Sequence, residues 1–336
     1  MRRLLVIRLS ALGDVAMTVP AVYSLARRYP TLQIDVLTRP FFARLFVDPP
    51  ANVHLIAADF KGEYKGVCGL WRLLRRLTAL RPDGVADLHN VLRSWVIDAW
   101  FRLRGVRVAM VDKNRRSRRN LFRTKEPQRN FTERYADVFA ALGFPVTLDF
   151  TSLFAEGGAV PPCVPPTPCV GIAPFARYGN KTYPPEQMRR VVELLCSRGV
   201  GVWLFGSRGA EAATLEAWAA AIEGCESVAG RYTIEEELAL MSCMDVMVSM
   251  DSANHHLASL AGIPVVSIWG STTPACGFMG YGQPAANALC LDLPCQPCSV
   301  AGKPACPKGH LDCLNRLEPQ TIADKVASLL PTAIQS

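Results

Sequence analysis

The sequence predicts an α/β protein made of two doubly wound domains, each with a parallel sheet covered by helices on both faces. Three observations predict this architecture. Short β-like apolar runs alternate with helical periodicity in both halves of the chain. The chain has 336 residues, about twice the length of an ordinary single domain. A segment rich in Pro and Gly at 156–168 separates the two alternating regions. We therefore expect domains at 1–155 and 169–336 joined by this linker.

The first half carries five predicted strands and five predicted helices. The helix at 14–28, for example, is indicated by apolar residues at Val15, Val19, Val22 and Leu25, which recur with helical spacing. Gly143 follows the last helix, where glycine commonly ends one. We expect strands at 4–7, 33–37, 53–57, 84–88 and 105–108, and helices at 14–28, 40–46, 67–80, 91–103 and 131–142.

The second half repeats the alternation. We expect strands at 169–173, 200–205, 245–249 and 263–268, and helices at 185–198, 210–222, 233–243 and 252–261. Ligands of such sheets bind outside the carboxyl ends of the strands. The loops that follow the strands are therefore the first places to search for a functional site.

Composition excludes several classes of protein. Hydrophobic residues make up 50% of the chain and charged residues 20%, which argues against a largely disordered protein. No apolar run approaches the roughly 18–20 residues of a transmembrane helix. Arg8 and Asp14 interrupt the apolar stretch that a signal peptide would need. We therefore expect a cytoplasmic protein whose twelve cysteines are mostly reduced rather than paired in disulfides.

Charge is divided unevenly between the two halves. Residues 1–155 hold 26 Lys and Arg against 13 Asp and Glu, whereas residues 156–336 hold 11 against 16. A basic domain attracts an anionic partner such as nucleic acid, an anionic lipid surface or a phosphorylated substrate. Its densest basic stretch, 113–129, contains one aromatic residue, Phe122, so nucleic acid is disfavoured. We expect a loop there that attracts an acidic acceptor, or one that is simply solvated.

Three segments place polar residues where a predicted strand gives way to a helix. Asp14 follows the first strand and is either a helix cap or a catalytic base. Lys181 lies in the loop after 169–173, where it either binds a diphosphate or is only solvated. Residues 251–256 follow the strand at 245–249 and offer backbone amides and two histidines to a phosphate.

Together and in this order, these segments resemble glycosyltransferase family 9, the heptosyltransferases of lipopolysaccharide core assembly. Residues 7–15 (IRLSALGDV) with 18–21 (TVPA) resemble the N-terminal signature of the family. Residues 248–252 (VSMDS), 256–258 (HLA), 262–266 (GIPVV) and 269–272 (WGST) resemble its nucleotide-loop signature. Residues 306–310 (CPKGH) with Cys313 are similar to the tail of the second heptosyltransferase group. The resemblance covers nearly the whole chain and is weakest over 40–130.

The resemblance implies a GT-B fold, in which two Rossmann-like domains face a central cleft. The N-terminal domain would bind the acceptor and the C-terminal domain the sugar nucleotide. The general base of the family falls on Asp14, and its diphosphate-binding lysine falls on Lys181. The remaining implied donor-site residues are Glu211, Asp251, Ser252, Ala253 and His256. Many family members have Gly where this chain has Ala253, which reduces backbone freedom there. The implied acceptor-site residues are Ser10, Gly13, Arg93, Arg115, Arg116, Arg118 and Arg119.

The sequence thus predicts an inverting glycosyltransferase that moves heptose from ADP-heptose to an anionic glycolipid of the lipopolysaccharide core, at the inner membrane surface. One carboxylate suffices for such a transfer, since the nucleoside diphosphate is already a good leaving group. No cofactor and no nucleic-acid partner are expected. The alternatives are a nucleotide-sugar epimerase and a noncatalytic sugar-nucleotide-binding protein.

Four cysteines near the C-terminus are grouped. Cys295, Cys298, Cys306 and Cys313 have a spacing that a tetrathiolate zinc site can have. The intervals are shorter than in most zinc ribbons, and the transfer needs no metal. Reduced structural thiols are therefore the favoured interpretation, with a structural zinc ion as the alternative.

Overall fold

The computed structural model describes residues 2–158 and 160–331, and at Arg115, Arg116, Arg118 and Arg119 it describes the backbone alone. Ala159 of the predicted linker lies outside this range. The chain divides into two compact units. Unit 1 comprises Met1–Asn114 and Arg129–Thr151, and unit 2 comprises Arg115–Gln128 and Ser152–Ser336. Residues 115–128, which the sequence places in the first domain, therefore group with the second.

Unit 1 is built on a five-stranded parallel sheet of order β3-β2-β1-β4-β5. The direction of strand addition reverses between β1 and β4, which pair directly, with Ile7 opposite Asp87. The strands are β1 (Arg3–Ile7), β2 (Gln33–Thr38), β3 (Val53–Ala57), β4 (Gly84–Asp87) and β5 (Arg107–Met110). Its helices are α1 (Leu12–Ala16), α2 (Thr18–Arg28), α3 (Pro40–Ala43), α4 (Gly66–Ala79), α5 (Leu92–Arg102) and α7 (Phe131–Ala141).

One face of this sheet is covered by α4 and α5. Right-handed crossovers from β3 to β4 and from β4 to β5 place both helices on the same side. Leu73 and Leu77 of α4 and Ile97 and Phe101 of α5 are buried in one apolar cluster with Leu5 of β1. The opposite side carries α2 and α7, which pack on each other.

Unit 2 repeats the design with six parallel strands in the order β11-β10-β9-β6-β7-β8. Here the direction reverses between β6 and β9. The strands are β6 (Cys169–Ala173), β7 (Gly201–Leu204), β8 (Cys225–Ser227), β9 (Val246–Met250), β10 (Val265–Trp269) and β11 (Ala288–Cys290). The helices are α6 (Arg115–Thr124), α8 (Pro185–Cys196), α9 (Ala210–Ala221), α10 (Ile234–Met241), α11 (Ala253–Ala261), α12 (Asp312–Asn315) and α13 (Pro319–Ala327).

The structure corrects the sequence expectations at two places in the first half. The single helix expected at 14–28 is divided into α1 and α2 at Met17. Pro20 lacks the N–H that would continue one helix through this point, and it is instead accommodated in the first turn of α2. The loop expected over 113–129 contains the helix α6, because arginine is a good helix former and Leu121 is fully buried.

Four elements of unit 2 had no sequence prediction. They are the short strands β8 and β11 and the helices α12 and α13. In α13, Ile322 and Val326 are buried in the unit 2 core. Among the described residues, the helices are all too short or too polar to cross a membrane.

Candidate functional site

The first polar crevice lies in unit 1, at the reversal between β1 and β4. Open α/β sheets bind ligands at this kind of topological switch point. Arg8, directly after β1, reaches across and donates from Nη1 to the carbonyl oxygen of Leu88, which follows β4, at 2.6 Å. The Arg8 side chain is 6% exposed, and its guanidinium forms an ion pair with Asp14, with 2.7 Å between Nη2 and Oδ2. The pair fixes Asp14 at the carboxyl edge of the sheet.

The Asp14 carboxylate is held through one of its two oxygens. Oδ2 accepts from the backbone N–H of Ala11 at 3.1 Å and also contacts Arg8. Within the described residues, no bond to Oδ1 is present, and the side chain is 29% exposed. Because Asp14 and Gly13 lie in the first turn of α1, the carboxylate both caps this helix and keeps an open oxygen.

His89 adds a neutral imidazole to the unit 1 crevice. Its Nε2 lies 3.1 Å from the Ser10 hydroxyl oxygen. Burial, together with the nearby charges of Arg8 and Lys113, lowers the pKa of His89 to about 3. The ring is therefore uncharged near neutral pH, and it forms a hydrogen bond with Ser10 next to Asp14.

A buried carboxyl pair supports the loop that carries His89. Asp87 Oδ1 accepts from the N–H groups of His89 and Asn90, at 2.8 and 2.9 Å, and Oδ2 accepts from the Ser94 hydroxyl at 2.7 Å. Burial and the neighbouring Asp87 raise the pKa of Asp98 to about 8. Asp98 is thus protonated at neutral pH, and the pair carries one negative charge rather than two.

The second crevice lies in unit 2, at the reversal between β6 and β9. Lys181 lies in the loop after β6 and Asp251 directly after β9, and the structure brings them together with 2.6 Å between Nζ and Oδ2. Their side chains are 13% and 6% exposed. Thr272, from the loop after β10, donates its hydroxyl to the same Oδ2 at 2.5 Å. Three neighbouring strands thus each contribute one residue to a buried charged cluster.

The helix α11 begins beside this cluster. Its N-cap residue, Ser252, places its hydroxyl 3.2 Å from that of Ser249. In the described structure, no side chain caps the helix, so its first-turn amides remain available to an anion. Ala253 is the first helical residue, where alanine is favourable. The loss of glycine freedom expected at this position therefore has no consequence for the backbone seen here.

The two histidines of α11 are both buried. Their rings stack with centroids 5.4 Å apart. His255 Nε2 accepts from the N–H of Gly280 at 3.1 Å. Burial, the adjacent His256 and Lys181 lower the pKa of His255 well below its usual range. His255 therefore holds the 280 loop as a neutral acceptor, and His256 remains the candidate for ligand contact.

The cysteine-rich segment 295–313 forms a wall of the unit 2 crevice. Asn180, which is buried, accepts from Lys303 N–H at 2.8 Å, and its carbonyl oxygen accepts from Ser271 N–H at 3.0 Å. Gly302 has φ +95°, and a Cβ at this position would lie 2.7 Å from Cδ of Lys181. The segment thus packs directly on the aliphatic part of the lysine.

The four grouped cysteines lie in this segment as free thiols. Across residues 2–158 and 160–331, no cluster of three or more His, Cys, Asp or Glu side chains is suited to hold a metal ion. Cys298 donates its backbone N–H to Ser271 O at 3.0 Å. Burial alone would raise the pKa of the Cys306 thiol, but the backbone N–H groups of residues 308–311 together have the larger effect, so its pKa is lowered.

The other predicted site residues lie apart from these two clusters. The Glu211 carboxylate accepts from the N–H of Ser207 at 2.7 Å, at the carboxyl end of β7. The Arg93 guanidinium stacks on Phe60, 4.4 Å from the ring centroid. The side chains of Arg115, Arg116, Arg118 and Arg119 lie outside the described residues. Their helix is attached to unit 2, where Lys125 Nζ lies 2.6 Å from Asp292 Oδ1.

Sequence reasoning missed Arg8, His89, Asn180 and Thr272 as members of these clusters. Arg8, His89 and Thr272 lie one to three residues past the carboxyl end of a strand, so the general rule for α/β sheets was an available signal for them; Asn180 lies seven residues past β6. Selecting them required the strand order, since β1 pairs with β4, and β6 with β9, although other strands lie between them in the sequence.

The fold and its relatives define the class of protein. A glycosyltransferase family 9 structure from Veillonella parvula matches with a TM-score of 0.73 and 17% identity, covering 98% of this chain and 97% of that one. The structure of E. coli heptosyltransferase WaaC with ADP matches with a TM-score of 0.70 and 19% identity, covering 97% and 99%. These likenesses show a GT-B glycosyltransferase fold.

The family follows from the sequence comparisons. The model of glycosyltransferase family 9 (heptosyltransferase) matches residues 70–308, and the chain belongs to this family. Lipopolysaccharide heptosyltransferase 1 of Pseudomonas aeruginosa is 26% identical over 98% of both chains. The lipopolysaccharide core heptosyltransferase OpsX of Haemophilus influenzae is 23% identical, over 81% of this chain and 80% of its own length.

Proposed function

We propose that this glycosyltransferase moves heptose from ADP-heptose to a lipopolysaccharide core-type acceptor, with inversion at the anomeric carbon. The names of its relatives support the sugar and the acceptor, since the P. aeruginosa protein is a lipopolysaccharide heptosyltransferase aligned over 98% of its length. The observation that carries the proposal is the buried Lys181 beside the uncapped start of α11. A cation and free amides at a switch point suit a diphosphate.

The donor end would act by stabilising charge. As the glycosidic bond to the diphosphate breaks, negative charge grows on the leaving phosphate oxygen. Lys181 is oriented by Asp251 and by contact with Gly302, and the first amides of α11 add their dipole. Ser252, Ala253 and His256 would line the same site, and Glu211 would bind the nucleoside end. No resident cofactor is needed for this step, so we expect transfer to survive treatment with EDTA.

The acceptor end would use Asp14 as the general base. Its open Oδ1 is available to the proton of an attacking hydroxyl, while Oδ2 is held by Arg8 and Ala11. Ser10 precedes α1, Gly13 lies beside Asp14 in its first turn, and Arg93 lies at the start of α5. The acceptor would be an anionic glycolipid at the inner face of the cytoplasmic membrane, recruited in part by Arg115, Arg116, Arg118 and Arg119.

Donor choice is tested by incubating the protein with ADP-heptose and a panel of other sugar nucleotides, with a core acceptor present. Release of ADP or UDP and the mass of the acceptor are followed by mass spectrometry. We expect ADP release that depends on the acceptor and adds one heptose mass. Release from none of the donors would contradict transferase activity, and release without the acceptor would point to hydrolysis.

The role of Asp14 is tested by Asp14→Asn. Asn is nearly isosteric and can still cap α1, but it cannot take the proton, so turnover should fall by about 10²–10⁴-fold. Melting temperature and nucleotide affinity should stay close to those of the parent. Near-parent turnover would exclude Asp14 as the base.

A further inference from the structure

Exposed apolar side chains are concentrated on two helices of unit 1. Eleven large apolar residues are exposed in the described chain, and five of them lie on α4 and α5. These five are Val67, Trp71, Leu92, Trp95 and Val96, with exposures of 85%, 53%, 74%, 43% and 39%. A cluster of exposed apolar side chains on one helical layer marks an interaction surface, whereas single exposed apolar residues scattered over a protein do not.

The two helices form one continuous surface. Trp100 of α5 donates its indole N–H to the Thr78 hydroxyl of α4 at 2.9 Å. Their inner faces share one apolar cluster against the sheet, so their outer faces both point to solvent on the same side. We call this outer surface the α4–α5 face.

The charge on the α4–α5 face has one sign. The two helices contain Arg72, Arg75, Arg76, Arg93 and Arg102. Their one acidic residue is Asp98, which is fully buried against the sheet. In the described structure, no carboxylate of these helices is therefore exposed to oppose the arginines.

Arginine and tryptophan are also paired on this face. The Arg75 guanidinium stacks on Trp71, 4.8 Å from the ring centroid. An indole that carries a cation suits the interface of a bilayer, where the ring reaches the acyl boundary and the charge stays among the headgroups. Valine and leucine beside them have no use in binding a nucleic-acid backbone but add favourable burial in lipid.

We propose that the α4–α5 face docks on an anionic phospholipid bilayer. Val67 and Leu92 lie in the first turns of their helices, near the carboxyl edge of the sheet from which Asp14 also projects. Docking through this face would bring the acceptor side of unit 1 to the membrane. That role for the docking rests on the proposed glycolipid acceptor. Binding of the bilayer itself depends only on the face.

Vesicle sedimentation of the full chain tests the proposal. Phosphatidylcholine vesicles containing phosphatidylglycerol should bind the protein, pure phosphatidylcholine much less, and added salt should weaken the binding. Each arginine near a charged membrane contributes roughly fivefold, so Arg72→Gln with Arg75→Gln should bind about 25-fold more weakly. The matched control replaces Arg28 on α2 and Arg190 on α8 with Gln and should stay within about twofold.

The orientation is tested with brominated lipids, which quench tryptophans that enter the bilayer. Quenching should be seen in the parent and should be largely lost when Trp71 and Trp95 are both replaced by Phe. Absence of binding to the anionic vesicles, an equal loss in the control, or persistent quenching in the Phe variant would each overturn the proposal. The last outcome would indicate docking through another face.

These vesicles contain neither donor nor acceptor, so failure of the transferase proposal leaves the result unaffected. Conversely, transfer to a deacylated, water-soluble core acceptor should be unchanged in the Arg72→Gln, Arg75→Gln protein. Loss of that soluble activity would show damage beyond the membrane face and would count against the assignment.

Discussion

The Lys181–Asp251 pair permits a sharp separation of stability from catalysis. Replacing Lys181 with Met keeps the length and packing of the side chain but leaves Asp251 as a nearly buried charge, bonded to Thr272 alone among its described partners. Breaking a buried ion pair by removing one partner typically destabilises a protein by about 3–5 kcal/mol. Because Lys181 retains some solvent access, we expect the lower end, about 3 kcal/mol.

The double variant Lys181→Met, Asp251→Asn removes the uncompensated charge. Asn can still accept from the Thr272 hydroxyl, so most of the lost stability should return. Catalysis should not return, because the cation that opposes the leaving diphosphate is still absent. We expect both variants to lose about 10²–10³-fold in turnover, the range seen when one charge-stabilising donor is removed.

Two measurements on the same preparations decide the question. Urea unfolding gives the free energy of unfolding, and acceptor-dependent ADP release gives turnover. The control is Arg190→Met on α8, which removes a cation from the surface. A double variant that regains parent turnover would refute the role of Lys181 in transfer. A single variant as stable as the parent would refute the buried ion pair as a source of stability.

Three further changes test the surroundings of the two crevices. Asn180→Ala should cost about 1–3 kcal/mol in unfolding free energy by leaving the Lys303 N–H without its partner, and it should raise the donor KM with little change in the acceptor KM. Gly302→Ala should impair donor use in the same assay, because φ is +95° and the added Cβ would contact Lys181 and Tyr178. The pKa of Asp98 is raised to about 8, so the folded protein holds a proton that the unfolded chain releases above about pH 4. The parent should therefore lose stability as the pH rises between these values, and Asp98→Asn should remove this loss. Its melting temperature should therefore exceed that of the parent at about pH 8 and approach it at about pH 4, whereas parallel pH profiles would exclude the buried proton.

The order of strands and helices followed from local signals, and most elements of both sheets were predicted. Periodicity reports burial along one segment, so it identified β6 and α8 without knowledge of their neighbours. Periodicity did not predict α6, because its arginine-rich sequence resembles a solvated loop and the burial of Leu121 is visible only in the structure. It also failed at Pro20, where one helical pattern continues across two separate helices.

The candidate site was predictable only in part for a related reason. Lys181 and the 251–256 segment could be selected because each follows a strand and matches a family motif. The 2.6 Å contact between Lys181 and Asp251 depends on β6 and β9 being neighbours in the sheet. In the chain, 72 residues lie between the end of β6 and the start of β9. His89 and Asn180 carry no motif, and their roles depend on which loops the two sheets place side by side.

The two crevices apply one arrangement to different chemical needs. In each, a carboxylate after a central strand is held through Oδ2 by a cation and a second donor: Arg8 and Ala11 N–H for Asp14, Lys181 and Thr272 for Asp251. Asp14 is 29% exposed, whereas Asp251 is 6% exposed. A base must meet an incoming hydroxyl, so its second oxygen has to stay accessible. A carboxylate that only orients a lysine acts better when water is excluded, because the pair then keeps its geometry until an anionic ligand competes for the cation.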